Sequence, residues 1–232
     1  MKRQRYSGRQ NPGSLVKDLP RVGAKTLLYA DTVINETAAY YGIGVPQNVP
    51  IIAQAGSAGT GILKNDNHDG RTGDRIRVKK VDFHLNMTCA NGPDTAPATK
   101  AFRLILLLDR NHNGGPNPPA QTDVFNFNAS QEWLWPNMGN RHRFKQLKTL
   151  TFSVTNPYDS SGTGALASAN KTLEMSCEMD LPIDYKYDST DGDMENITDN
   201  NLYLWIQPIG PDSPAALSTW YLQGSCRFYY TS

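Results

Sequence analysis

The sequence predicts an all-β protein: a two-sheet antiparallel sandwich of about eight strands, such as a jelly roll, with long loops and a flexible basic N-terminal arm. Three observations predict it. Two long stretches alternate apolar and polar residues with period two, the period of a strand. Glycine and proline total 34 of 232 residues, enough to punctuate many short elements with turns. No stretch carries the 3.6-residue periodicity of long helices alternating with strands, as a parallel α/β sheet would need.

Residues 1–25 are polar and interrupted by Gly8, Asn11-Pro12-Gly13 and Pro20. With few apolar residues before Leu15, this segment cannot bury enough surface to order itself, and it reads as a mobile arm. Residues 26–232 read as one domain, since two-sheet all-β folds of this length are common. A body this size buries roughly 70% of its unfolded surface and needs no cross-links. Strands are expected at 26–35 and 49–55. Between 75 and 89 the pattern changes phase: Ile76 and Val78 are even, whereas Val81, Phe83, Leu85 and Met87 are odd. One extra residue at Lys79-Lys80 restores a single apolar face, which predicts a β-bulge there.

Phe102–Leu108 is nearly all apolar and reads as a strand covered on both faces. Residues 110–140 are rich in Pro and Asn and read as a long connection with a helical turn at Asn128–Trp135. A strand follows at 141–154, then a Ser/Gly-rich connection at 155–170. From Thr172 to Asp188 the odd positions from Leu173 to Tyr187 are apolar or aromatic, and the even ones are mostly charged. Pro182 lies on the polar face without a donor and predicts a break into two strands. A strand is expected at 201–209. In the last segment Trp220, Leu222, Gly224, Cys226, Phe228 and Tyr230 alternate with Tyr221, Gln223, Ser225, Arg227 and Tyr229, and so apolar a strand belongs inside a sheet.

Cys89, Cys177 and Cys226 are an odd set at wide spacing. That fits neither a disulfide framework nor a zinc site, and predicts buried free thiols in a reducing compartment. No run approaches the length of a membrane span, and no apolar stretch follows the basic start as in a secretory signal. Gly56–Gly61 lacks the Lys-Ser/Thr that would complete a phosphate loop. Asp109-Arg-Asn111-His-Asn113-Gly114 matches half of a calcium loop, but Ala120 stands where the bidentate Glu belongs; a polar turn is expected. Asp188, Asp191 and Asp193 form a second acidic cluster around Gly192, a minor candidate for a divalent ion at a subunit contact. Asp82 and His84 share a strand face, which does not suffice for a metal. No HExxH pair or G-x-S-x-G elbow occurs, so the sequence supplies neither a catalytic residue nor a cofactor or metal site, and no enzymatic role is expected.

Charge is more informative. The whole chain carries +1. Residues 1–25 hold seven cations against Asp18, a net +6, which leaves −5 on the body. A basic arm on a mildly acidic body suggests a polyanionic partner for the arm. Lys2, Arg3, Arg5, Arg9, Lys17 and Arg21 are its candidate nucleic-acid contacts, and Lys2-Arg3-Gln4-Arg5 is a weak nuclear-import motif. Arg75, Arg77 and Lys79 share a strand face, as do Arg141, Arg143 and Lys145. Each stripe has the spacing to follow a phosphate backbone, and each is equally consistent with a solvated face.

The order of these features resembles one family. Phe102–Leu108 runs into Asp109-Arg-Asn-His-Asn-Gly-Gly115, then Thr122-Asp-Val-Phe125. Asn140-Arg-His-Arg-Phe-Lys145, Leu181-Pro-Ile-Asp-Tyr-Lys-Tyr187 and Arg227-Phe-Tyr-Tyr230 follow. Together they resemble the capsid proteins of circular, Rep-encoding single-stranded DNA viruses, the group that includes circoviruses and geminiviruses, over most of residues 26–232. The resemblance implies a single jelly roll that assembles with itself, in about 60 copies, into an icosahedral shell. It implies an inward arm holding circular single-stranded DNA through Lys2, Arg3, Arg5 and Arg9, with the virion and the host nucleus as locations. A host receptor is implied but not identified, and no membrane partner. Arms of that family are often longer and denser in Arg, so here the inner surface would share the binding. The alternative expectation is a secreted or surface carbohydrate-binding β-sandwich, with Trp133, Trp135 and Trp220 as sugar platforms and Ca²⁺ on the acidic clusters. A small β-barrel hydrolase is a third.

Overall fold

The computed structural model describes residues 27–40, 47–50, 62–64, 70–90, 99–112, 114–115, 117–126, 135–155, 168–209 and 218–232. Eleven strands lie among them, where the sequence suggests about eight. They are β1 (Leu28–Tyr40), β2 (Gln47–Pro50), β3 (Arg75–Ala90), β4 (Thr99–Asp109), β5 (Phe125–Asn126), β6 (Trp135–Pro136), β7 (Phe144–Thr155), β8 (Ser168–Tyr185), β9 (Ile197–Asp199), β10 (Asn201–Ile209) and β11 (Ser218–Thr231). A one-turn helix α1 (Gln121–Val124) and 3₁₀ turns at Met138–Asn140 and Met194–Asn196 complete them. The arm, Gly56–Gly61, most of the 49–55 strand and most of 155–170 lie outside the described residues.

Two antiparallel sheets form a sandwich. One has the order β1-β11-β3-β8-β9, the other β2-β10-β4-β7; β5 and β6 pair separately. Apolar residues of the two sheets meet in the middle, as where Phe102 of β4 meets Trp220 of β11 edge to face at 6.2 Å between ring centres. β11 lies between β1 and β3, as its alternation predicts, and Trp220, Leu222, Cys226, Phe228 and Tyr230 are all buried. Gly224 has φ +149°, and a Cβ there would lie 2.1 Å from the His84 carbonyl oxygen. Only glycine lets β11 and β3 approach this closely.

The bulge falls at Lys79. Tyr229 pairs with Lys80 and Tyr230 with Val78, so Lys79 has no partner on β11. On the other side, Leu181 pairs with Val78 and Glu178 with Lys80, so both Met179 and Asp180 face Lys79. Val78 and Val81 are consequently both buried despite their opposite parity. β8 runs unbroken through Pro182, contrary to the expected break. Proline is tolerated at a sheet edge, and β9 pairs with β8 only at Asp184 and Tyr185. The alternation ends one step early: Tyr187 is 93% exposed in the turn after β8.

β4 is buried on both faces, as expected. Its even residues enter the sandwich, and its odd residues are covered by the segment after it. Phe125 packs edge to face on Trp205 at 5.3 Å, and Val124 is buried beside it. A helical turn of this connection is at Gln121–Val124, and Trp135 lies in β6; the rest of the turn expected at Asn128–Trp135 lies outside the described residues. Cys226 is buried and Cys177 half-buried, both as free thiols. Burial raises both thiol pKa values, which keeps them protonated and unreactive.

Candidate nucleic-acid interface

The two basic stripes meet different fates. Arg75, Arg77 and Lys79 lie on β3 opposite the acidic positions of β8. Arg75 makes a two-point ion pair with Asp184. Arg77 reaches Asp180 at 2.6 Å, and Lys79 reaches the other oxygen of the same carboxylate, which the doubled residues at the bulge bring within range of both. These partners hold the Asp180 carboxyl below its ordinary pKa. The stripe is a charge ladder in which three cations share two built-in carboxylates.

Arg141 and Arg143 lie in the turn before β7, which starts at Phe144. They do not share a strand face with Lys145, contrary to the expected stripe. Arg143 is committed to structure: it donates from Nε and Nη2 to the two oxygens of Asp109, each at 2.8 Å. Asp109 is fully buried at the end of β4, and this pair raises the Arg143 pKa. The same carboxylate accepts from the Asn111 backbone N–H at 3.1 Å. The would-be calcium ligand is thus the anchor of an arginine.

A buried polar network extends from Asp109. His112 Nε2 lies 2.9 Å from the Met194 carbonyl, and a carbonyl only accepts, so Nε2 carries the proton. Nδ1 then accepts from the Tyr203 hydroxyl at 3.0 Å, and Asn201 donates to that hydroxyl at 3.1 Å. Burial lowers the His112 pKa. Arg71 organises a second cluster. Fully buried, it stacks on Tyr185 at 4.0 Å and donates to the carbonyls of Ile62, Gly73, Ser189 and Asp191. Lys64 ties Asp74 at 3.1 Å and Asp188 at 3.0 Å to the same corner. Asp188 is therefore half of an ion pair. Asp193 has a raised pKa from burial and from Asp191 and Glu195 nearby. Among the described residues no group of three ligands is placed to hold a metal ion.

The uncompensated cations lie elsewhere. Arg110, Arg141, Lys145, Lys148, Lys171 and Lys186 are exposed and have no side-chain hydrogen bond or ion pair among the described residues. Arg110 and Lys145 border a cleft of ≈550 Å³ between β7 and β8, where the half-buried Cys177, Met179 and Leu181 face Leu147. Arg141 and Lys145 border a second pocket of ≈280 Å³. Lys145 and Gln146 belong to both. Sequence reasoning found Arg141 and Lys145 but passed over Arg110 and Lys148, because nothing local distinguishes a paired cation from a free one. The six arm cations, Lys2, Arg3, Arg5, Arg9, Lys17 and Arg21, lie outside the described residues. No family model matches the sequence, and no curated protein matches it.

Proposed function

We propose that the chain is the shell subunit of a circular single-stranded DNA virus, a non-enzymatic jelly-roll capsid protein that assembles with itself and holds its genome by charge. The observation that best supports this is the pairing order of the eight strands that build the two main sheets, leaving aside the three-residue β9. Counted along the chain as β1, β2, β3, β4, β7, β8, β10 and β11, the first pairs with the eighth, the second with the seventh, the third with the sixth and the fourth with the fifth. That nesting is what results when one long antiparallel ribbon is wrapped into two facing sheets, the jelly roll.

Charge supports the partner. A +6 arm and the free cations Arg110, Arg141, Lys145 and Lys148 suit a flexible polyanion bound through its phosphates. The −5 on the remainder of the chain is a net figure that already counts the ladder between β3 and β8, so binding there depends on locally free cations and not on the total. Jelly rolls also occur in lectins and other binding proteins, so fold alone does not decide. Negative-stain microscopy of the purified protein, with its 260/280 nm absorbance ratio, tests the proposal. Uniform round particles with raised 260 nm absorbance are expected. A protein that stays monomeric at every salt and pH, and binds a glycan array, sinks it.

A further inference from the structure

We propose that the ≈280 Å³ pocket between Pro136 and Phe144 holds one base of a single-stranded nucleic acid, with the flanking phosphates on Arg141 and Lys145. This rests on the shell-subunit proposal for its ligand class and adds a defined subsite to it.

The pocket has two chemistries. Leu107, Val124 and Phe144 are buried and form its floor, an apolar surface suited to the flat face of an aromatic ligand. Arg141 and Lys145 are exposed at its edge, and no Asp or Glu lines it. An inorganic anion would leave the apolar floor unused, and a plain hydrocarbon would leave two cations unmatched. A base on a phosphodiester backbone satisfies both. A planar guanidinium such as that of Arg141 also stacks on bases.

The surroundings offer a further stacking surface. The larger cleft that shares Lys145 and Gln146 with this pocket is lined by Glu178 and Asp180 as well as Arg110, so it does not extend the anion site. On the other side stand Trp135, 68% exposed, and Met138, 61% exposed. Successive strand residues point to opposite faces, so Trp135 is placed for a neighbouring base, not for the one beside Pro136.

The walls are set before any ligand arrives. Asn137 donates from Nδ2 to the Thr122 carbonyl at 3.0 Å, and its Oδ1 accepts from the Gly139 N–H at 3.0 Å. Asn140 donates to the Asp123 carbonyl at 2.9 Å, and the Asn137 N–H donates to Val124 at 2.8 Å. These bonds tie the turn before β7 to α1, so little ordering is left for binding.

The test is a titration of the full-length protein with oligothymidylate, inorganic polyphosphate, heparin and polyglutamate, read by tryptophan emission. The arm binds any polyanion; a strand that continues from the pocket onto Trp135 also changes its emission, and a pocket-filling variant shows whether that change needs the pocket. Oligothymidylate is expected to change the emission, and Trp135→Phe to abolish that change while leaving affinity within about twofold, since phenylalanine also stacks. Gln146→Trp fills the pocket without altering charge. It is expected to weaken oligothymidylate about tenfold and to leave polyphosphate binding unchanged. Arg141→Ala with Lys145→Ala should lower the salt dependence of oligothymidylate binding by about 1.4 in log–log slope. Wild-type oligothymidylate binding in Gln146→Trp overturns the inference, provided its circular dichroism matches wild type; Gln146→Leu is the substitute if it does not. Heparin or polyglutamate perturbing Trp135 more strongly than oligothymidylate overturns it in favour of a glycan or an acidic peptide. Microscopy of the same preparations separates the two proposals. Nucleic-acid-filled shells with wild-type oligothymidylate affinity in Gln146→Trp remove the pocket alone; weakened affinity in Gln146→Trp without shells in the wild type removes the capsid reading alone.

Discussion

His112 looks in the sequence like one member of a polar turn, and the fold makes it a buried titratable group. Asp109, Arg143 and Tyr203 surround its ring; Asp109 Oδ2 is 4.0 Å from Nδ1. Desolvation outweighs that carboxylate, which Arg143 already neutralises, so the His112 pKa lies below the ordinary 6.5. The unfolded chain therefore binds a proton that the folded one refuses. Stability is full above about pH 6.5 and falls as pH drops below it, by about 1 kcal/mol per pH unit. Urea midpoints measured at about pH 7.5 and about pH 5 should show that loss, and His112→Gln should flatten it. Arg71 belongs to the same class: its burial and its carbonyl partners were invisible locally, because Ser189 and Asp191 lie 118 and 120 residues away.

Strands carry charge patterns whose meaning depends on the neighbouring strand. Arg75, Arg77 and Lys79 have the spacing of a phosphate track, but β8 presents Asp180 and Asp184 directly across from them. A cation with a built-in counter-ion releases little when a phosphate replaces it. Arg77→Ala with Lys79→Ala is therefore expected to leave single-strand affinity within about twofold and the salt slope unchanged. Arg141→Ala with Lys145→Ala is expected to lower both, and fluorescence anisotropy across a salt series distinguishes the two pairs. The bulge at Lys79 was readable because a phase switch is a local property of one strand. Its consequence, one aspartate shared by two cations, was not, since it needed the register of β8.

Across the whole assembly, the proposed work is divided between the arm and the body. If the arm contributes most of the cations and the sandwich makes the subunit contacts, deleting residues 1–20 should weaken packaging more than assembly. The expected result is shells of normal size with a lowered 260/280 nm ratio; loss of particles altogether would place assembly contacts in the arm. The candidate site is less readable than the fold for a related reason. Arg141 and Lys145 came from the sequence, but the pocket between them draws Leu107 from β4, Val124 from α1 and Pro136 from β6. Nothing in their spacing predicts that they meet.

The period-two alternation at Thr172–Tyr185 and Trp220–Tyr230 was sufficient to specify strands, their buried faces and the all-β class. Each is a property of a pleated backbone over a few residues, and no partner is needed to express it. Which charges remain free is a different kind of quantity. Arg75 and Asp184 are 109 residues apart, and Arg143 and Asp109 are 34 apart. An ion pair depends on distance in space, which strand order and register set. The basic stripes were therefore visible as composition, and only their folding against β8 and β4 separated the cations spent on structure from those left for a ligand.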